Sequence, residues 1–218
     1  MLPEPKSRKK IHLRKVYCEG YKRSDGLWDI EGHLKDTKTY NFHTDYRGDM
    51  LAGMAVHDMS IRLTLDDNLM IKNVAINMSS HPYETCPKII ANFQNLIGIS
   101  ITKGFRKNVY AKVGGVSGCT HLVELLFPIA TTAFQTIYSY KSFNKKENVN
   151  SNNDDSPSLI NSCHSWREDG EVIKKYYRKF YKSKTNSYIS KTEHVILFET
   201  LFLIVYKSFF LFRSYFFP

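Results

Sequence analysis

The stretch Leu27-Trp28-Asp29-Ile30-Glu31-Gly32-His33-Leu34-Lys35 alternates residue by residue. Trp28, Ile30, Gly32 and Leu34 fall on one side, and Asp29, Glu31, His33 and Lys35 on the other. That is the period of a strand with one buried face. Arg23-Ser24-Asp25-Gly26, just before it, is a turn signal, because Asp-Gly tolerates positive φ. Leu13 to Tyr21 is then the partner strand, and the three pieces predict a β-hairpin.

A second hairpin follows. In Val56 to Leu65, His57, Met59, Ile61, Leu63 and Leu65 share one face, and Asp58, Ser60, Arg62 and Thr64 the other. Asp66-Asp67-Asn68 makes the turn. Leu69 to Met78 returns, with Val74, Ile76 and Met78 on a common face. Folding about that turn sets His57 near Asn77. Thr37 to Met50, between the hairpins, has no period and reads as loop.

Helices come next. Pro87 suits a first helical position, which makes Cys86 the N-cap. Ile89, Ile90, Phe93, Leu96 and Ile97 form an apolar stripe, and Gly98 stands where a C′ glycine belongs. Phe105 to Val113 reads as a second helix. In the third, Leu122, Leu125, Leu126, Ile129, Ala133 and Ile137 recur at helical spacing. Pro128 lacks an N–H and is expected to kink or split it. The fold class is therefore α+β: antiparallel hairpins forming a sheet, helices packed on one face, and a C-terminal helical extension.

Composition sets the domain limits. Residues 1–12 are a basic arm and 13–140 the main domain. The Asn-, Ser- and Lys-rich residues 141–158 read as a flexible linker. Residues 159–182 carry a Cys-His motif and a helix from Glu171 to about Lys182. Residues 183–218 are an aromatic-rich extension. Within it, Val195 to Pro218 is long enough to span a membrane, but Glu199, Lys207 and Arg213 oppose insertion. Membrane contact through this segment is carried as one expectation, peripheral or tail-anchored.

The chain has a formal net charge of +10. Ser24 to Tyr140 is nearly balanced, with 10 Lys+Arg against 11 Asp+Glu. The excess sits before Ser24 and between Lys174 and Lys191, which argues against sequence-specific nucleic-acid binding. No apolar segment follows the basic start, so no secretion signal is read and the expected location is cytoplasmic. Cys18, Cys86, Cys119 and Cys163 are widely spaced and show no zinc-ribbon or redox pair.

Gly114-Gly115-Val116-Ser117-Gly118-Cys119-Thr120-His121 leads directly into the third helix. A helix start exposes free N–H groups and favours a thiolate, the form that binds metal or attacks an electrophile. The glycines would let the backbone approach whatever Cys119 holds. Against this, a small buried thiol beside glycines and a surface imidazole would serve packing alone. Cys86 repeats the arrangement of a thiol at a helix start. His57 points to the apolar side of its strand, where a ring needs a partner. Soft thiolates and imidazoles suit zinc or iron. The candidate metal ligands are thus Cys86, Cys119 and His57, with Asp58 or His121 as a fourth. Asp29, Glu31 and His33 form a second polar face, either a pocket lining or a solvated strand face. Cys163-His164, beyond the linker, is a further thiol–imidazole pair that could line a substrate site. No P-loop, dinucleotide fingerprint, G-x-S-x-G or H-E-x-x-H is present.

Gly26-Leu27-Trp28-Asp29-Ile30-Glu31-Gly32-His33-Leu34, His57-Asp58-Met59 with Arg62-Leu63-Thr64, Gly118-Cys119-Thr120-His121-Leu122-Val123-Glu124-Leu125-Leu126 and Asn161-Ser162-Cys163-His164 together resemble one bacterial family, the domain of unknown function DUF2889. The resemblance runs from about Leu13 to Tyr181 and implies no particular activity. Element order and the placing of Cys86 and Cys119 are also similar to the U-type iron–sulfur scaffold proteins. Those carry Cys-Gly-Asp where this chain has His57-Asp58, so the likeness implies a single zinc or iron in a mixed site.

Three functions follow as expectations. The first is a cytoplasmic protein with a Cys/His metal site, catalytic or structural. The second is a metal-free enzyme acting on a small organic molecule through Cys119 and His121. The third is an interaction module that docks on a membrane or partner through its C-terminal extension.

Overall fold

The computed structural model describes residues 1–147 and 159–183. The chain divides into two compact units, Met1–Asn150 and Ser151–Pro218.

In the first unit, β1 (His12–Lys22), β2 (Trp28–Lys38), β5 (Ala55–Leu65) and β6 (Ile71–Ser80) form an antiparallel sheet in the order β1-β2-β5-β6. β3 (Phe42–Thr44) and β4 (Gly48–Met50) form a small separate hairpin. That hairpin lies within the stretch read as loop, since three-residue strands are too short to show a period. Both long hairpins form as expected. Trp28, Ile30 and Leu34 of β2 and Met59, Ile61, Leu63 and Leu65 of β5 are all buried. The β5–β6 register differs from a simple fold about the turn. Asn77 pairs with Ser60, not His57, because the turn closes only at Met70, where Asp66 N–H donates to the Met70 carbonyl, and the register then shifts at Thr64/Leu65; a second shift follows at Asp58/Met59. Each bulge inserts a residue that strand alternation does not reveal.

The helices cover the face that carries these apolar residues. Cys86–Leu96 is a 3-10 helix with Thr85, not Cys86, at its N-cap; Gly98 takes φ +84° beyond its end. α1 (Phe105–Val113) matches the predicted span. α2 (Thr120–Glu147) runs through Pro128 without splitting. The proline removes one backbone donor. On the next turn the Thr131 and Thr132 hydroxyls donate to the carbonyls of Phe127 and Pro128, at 3.3 and 2.9 Å. The last turns of α2 fall in the Asn- and Lys-rich stretch.

Leu122, Leu125, Leu126, Ile129, Ala133 and Ile137 of α2 join the buried core with Phe93, Leu96, Val109 and Val113. α2 packs close to the sheet because Gly32 supplies no side chain there. A Cβ at Gly32 would stand 2.6 Å from Ile129 Cδ1. Thr136 occupies the corresponding space over Gly20. This close seat brings the N-terminal end of α2 down onto one end of the sheet.

In the second unit, α3 (Glu171–Tyr176) is followed by a short 3-10 turn at Arg178–Phe180, a more broken element than the single helix expected. Among the described residues no helix is long and apolar enough to cross a membrane. The aromatic extension and its membrane expectation lie outside the described residues.

Candidate functional site

The inner-face alternation of β2 does not stop at Leu34. It continues to Asp36, which is 1% exposed, just before a register shift at Asp36/Thr37. Arg14 of β1 and His57 of β5 lie directly opposite Asp36 on either side. The three side chains thus make one row across the sheet.

Every lone-pair direction of the Asp36 carboxylate is taken up. Arg14 grips it with both arms of its fork, Nε donating to Oδ1 at 2.8 Å and Nη2 to Oδ2 at 2.7 Å. His12 Nε2 lies 3.0 Å from Oδ1, and His57 Nδ1 lies 3.0 Å from Oδ2. These contacts supply four nitrogens to a group with about four acceptor sites.

The first turn of α2 closes the site from the helix side. The Cys119 carbonyl accepts the Val123 N–H at 2.9 Å, so Cys119 is the residue that enters the helix. His121, one turn position on, sets its ring 3.7 Å from that of His57, and its Nε2 lies 4.0 Å from Asp36 Oδ2. Cys119 Sγ stands 3.9 Å from His121 Nδ1. The glycines before Cys119 serve this junction. A side chain at Gly114 would strike the Tyr110 carbonyl, and one at Gly118 the Val113 carbonyl. Their lack of a side chain lets the chain fold back tightly on the end of α1, which is a different task from the approach to a ligand expected from sequence.

The electrostatics follow from burial and from this geometry. Burial pushes the Asp36 carboxyl upward, but the bonds from Arg14 and His12 outweigh it and hold the group at about 2. Arg14 is raised in turn, chiefly by its bond to Asp36. His57 is lowered by burial and by the neighbouring His121 ring, against the pull of Asp36. Burial, then the charge of Arg14, lowers His121. Two imidazoles this close, tilted by 32°, are thereby shifted toward the neutral form that binds metal or accepts a proton.

Among the described residues, Asp36, His57 and His121 are the group whose metal-ligating atoms all lie within 4.8 Å of one another. Cys86, Cys119 and His57 do not form such a group. Cys86 begins its helix partly buried and packed on the core. Cys119 reaches the centre only through His121. Asp58 faces the opposite side of the sheet from His57, as neighbours on a strand must, and pairs with His33 at 2.7 Å and Lys35 at 3.0 Å.

Asp29, Glu31 and His33 are each engaged in a separate cross-strand contact. Asp29 accepts from the Thr64 hydroxyl at 2.6 Å, and Glu31 accepts from Arg62 Nε at 2.7 Å. With His33–Asp58 these form a row of cross-strand pairs on the face away from the helices. His33 Nδ1 is buried and has no partner. Cys163 and His164 are exposed, in the turn preceding α3 of the second unit.

Residues 12–135 match the model of the family described as "Protein of unknown function (DUF2889)", and the chain belongs to that family. No curated protein and no solved structure matches the chain. The likeness to the U-type scaffold proteins therefore has no structural match behind it.

Proposed function

We propose that this protein binds one divalent transition metal, zinc or iron, through Asp36, His57 and His121. The observation that carries the reading is the approach of one carboxylate and two imidazoles to within 4.8 Å of each other. They arrive from three elements distant in sequence, around an aspartate that is otherwise the least expected residue on an apolar sheet face. Two imidazoles and a carboxylate are a ligand set used for zinc and for non-haem iron. Three protein ligands leave a coordination position for water or substrate, which is the arrangement of a reacting site.

Elemental analysis of protein purified without oxygen tests the proposal. Near-stoichiometric metal is expected in the wild type and in Cys86→Ser. At least about a hundredfold loss of affinity is expected in His57→Ala and His121→Ala, since each removes a ligand outright. A wild-type chain that holds no metal, and takes none up from zinc or ferrous solutions, would sink the reading.

A second reading has its own observation. Cys119 Sγ, His121 and Asp36 lie in sequence at 3.9 and 4.0 Å, the order of nucleophile, base and orienting carboxylate. In this reading the Cys119 proton passes to His121 Nδ1, the sulfur adds to a carbonyl carbon, the carbonyl π pair moves onto its oxygen, and His121 returns the proton to that oxygen, with no metal and no leaving group required. Exposed Cys163 is an internal reference. Alkylation of Cys119 faster than Cys163 in chelator-treated protein, slowed in His121→Gln, is the expected result; equal or slower labelling counts against it.

A further inference from the structure

The four nitrogens around Asp36 raise a question that the metal reading must answer. A metal that takes this carboxylate as a ligand must displace one of its present partners. When His57 ligates through Nε2 and keeps its Nδ1–H bond to Oδ2, the partner to leave is on β1. Arg14 is the one a metal repels most strongly, because its charge is fixed and its fork holds both carboxylate oxygens. It is also free to leave, since its side chain is 42% exposed although the Asp36 side chain is 1% exposed. His12, beside it, is 44% exposed.

From this, and resting on the metal reading above, we infer that Arg14 is an exchangeable cation. It neutralises Asp36 when the metal is absent and binds a small carboxylate ligand when the metal is present. Charge accounting supports the second half. A divalent ion, Asp36 and Arg14 together leave the centre with net positive charge, which recruits an anion from solution. The fork of Arg14 already holds a carboxylate in the two-armed geometry that guanidinium matches. Once Asp36 has turned to the metal, a carboxylate from solvent supplies the same two acceptors. The open coordination position can share that ligand.

The alternative claimant for Arg14 is Glu124, an exposed carboxylate on α2 whose charge acts on the guanidinium. If Glu124 captured the released fork, ligand binding would not depend on Arg14.

The test uses Co2+ as a spectroscopic metal and acetate as the ligand, on the full chain and on Arg14→Gln. Two shifts of opposite sign are expected. Arg14→Gln binds Co2+ at least about tenfold more tightly, because the fixed charge of Arg14 no longer competes for Asp36, and the cobalt-loaded variant binds acetate at least about tenfold more weakly. A residue that merely supported the fold would move both affinities the same way. Arg14→Lys keeps the charge but loses the fork. It is expected to fall between the two in acetate affinity, and it serves as the test chain if the glutamine variant fails to fold. Wild type that binds Co2+ with no opposed shifts in the variants overturns this inference alone. Wild type that binds no Co2+ overturns the metal reading and this inference together.

Discussion

Both faces of the same sheet carry histidines, carboxylates and arginine, yet they have been put to different uses. On the outer face the groups are divided into separate cross-strand contacts: Asp29 with Thr64, Glu31 with Arg62, His33 with Asp58. Glu31 and Arg62 remain 38% and 51% exposed, so water screens them and their contact adds little. On the inner face a single 1%-exposed carboxylate gathers His12, Arg14, His57 and His121. The residue types are the same, but only the second set converges on one buried carboxylate. Those two conditions, rather than composition, turn polar side chains into a site.

Substitution should separate the faces most strongly. Asp36→Asn removes the buried acceptor shared by Arg14, His12 and His57, and about 2 kcal/mol of unfolding free energy is expected to be lost in urea titration. Should Asp36→Asn cost no more than an outer-face change, the contrast fails. Acid is the next probe. The folded pKa of Asp36, at about 2, lies below its ordinary 3.8, so its contribution is full above 3.8 and is lost as pH falls toward 2. On the order of 2 kcal/mol should disappear over that window, and the loss should be absent in Asp36→Asn. A shallower decline should begin higher, below pH 6.5, because His57 and His121 resist protonation when folded. The smallest effect belongs to the outer face. Glu31→Gln should change stability by less than about 1 kcal/mol and leave metal content untouched. A larger loss would show that the outer pairs act as a network.

Much of the frame could be read from the chain because burial on one face imprints alternation. The two long hairpins and the stripe of α2 follow directly from it. His57 was conspicuous for the same reason, as a ring on an apolar strand face. Asp36 carries the same signal, two residues after Leu34, but the alternating run read from sequence stops at Lys35, one residue short of it. Arg14 and His12 were hidden differently. Their neighbourhood is rich in lysine and arginine, and a charge with a buried partner looks in sequence like one that has none. The pairing of Asn77 with Ser60 was illegible because bulges shift register without altering residue type. Cys86 and Cys119 drew attention as thiols at helix starts. A helix start says nothing about which other groups lie near it, and only His121 lies close to Cys119 by a distance that matters to the centre.

The place of β1 in the sheet has one more consequence. It is an edge strand, bonded to β2 on one side only, and it is the strand that brings Arg14 and His12 to Asp36. Edge strands open more readily than central ones. The buried carboxylate therefore works as a clasp on the sheet's margin, and the rate at which β1 amide hydrogens exchange with solvent becomes a gauge of what Asp36 is holding. Were the proposed metal to draw Asp36 away from Arg14, its occupancy would register as fraying of that margin.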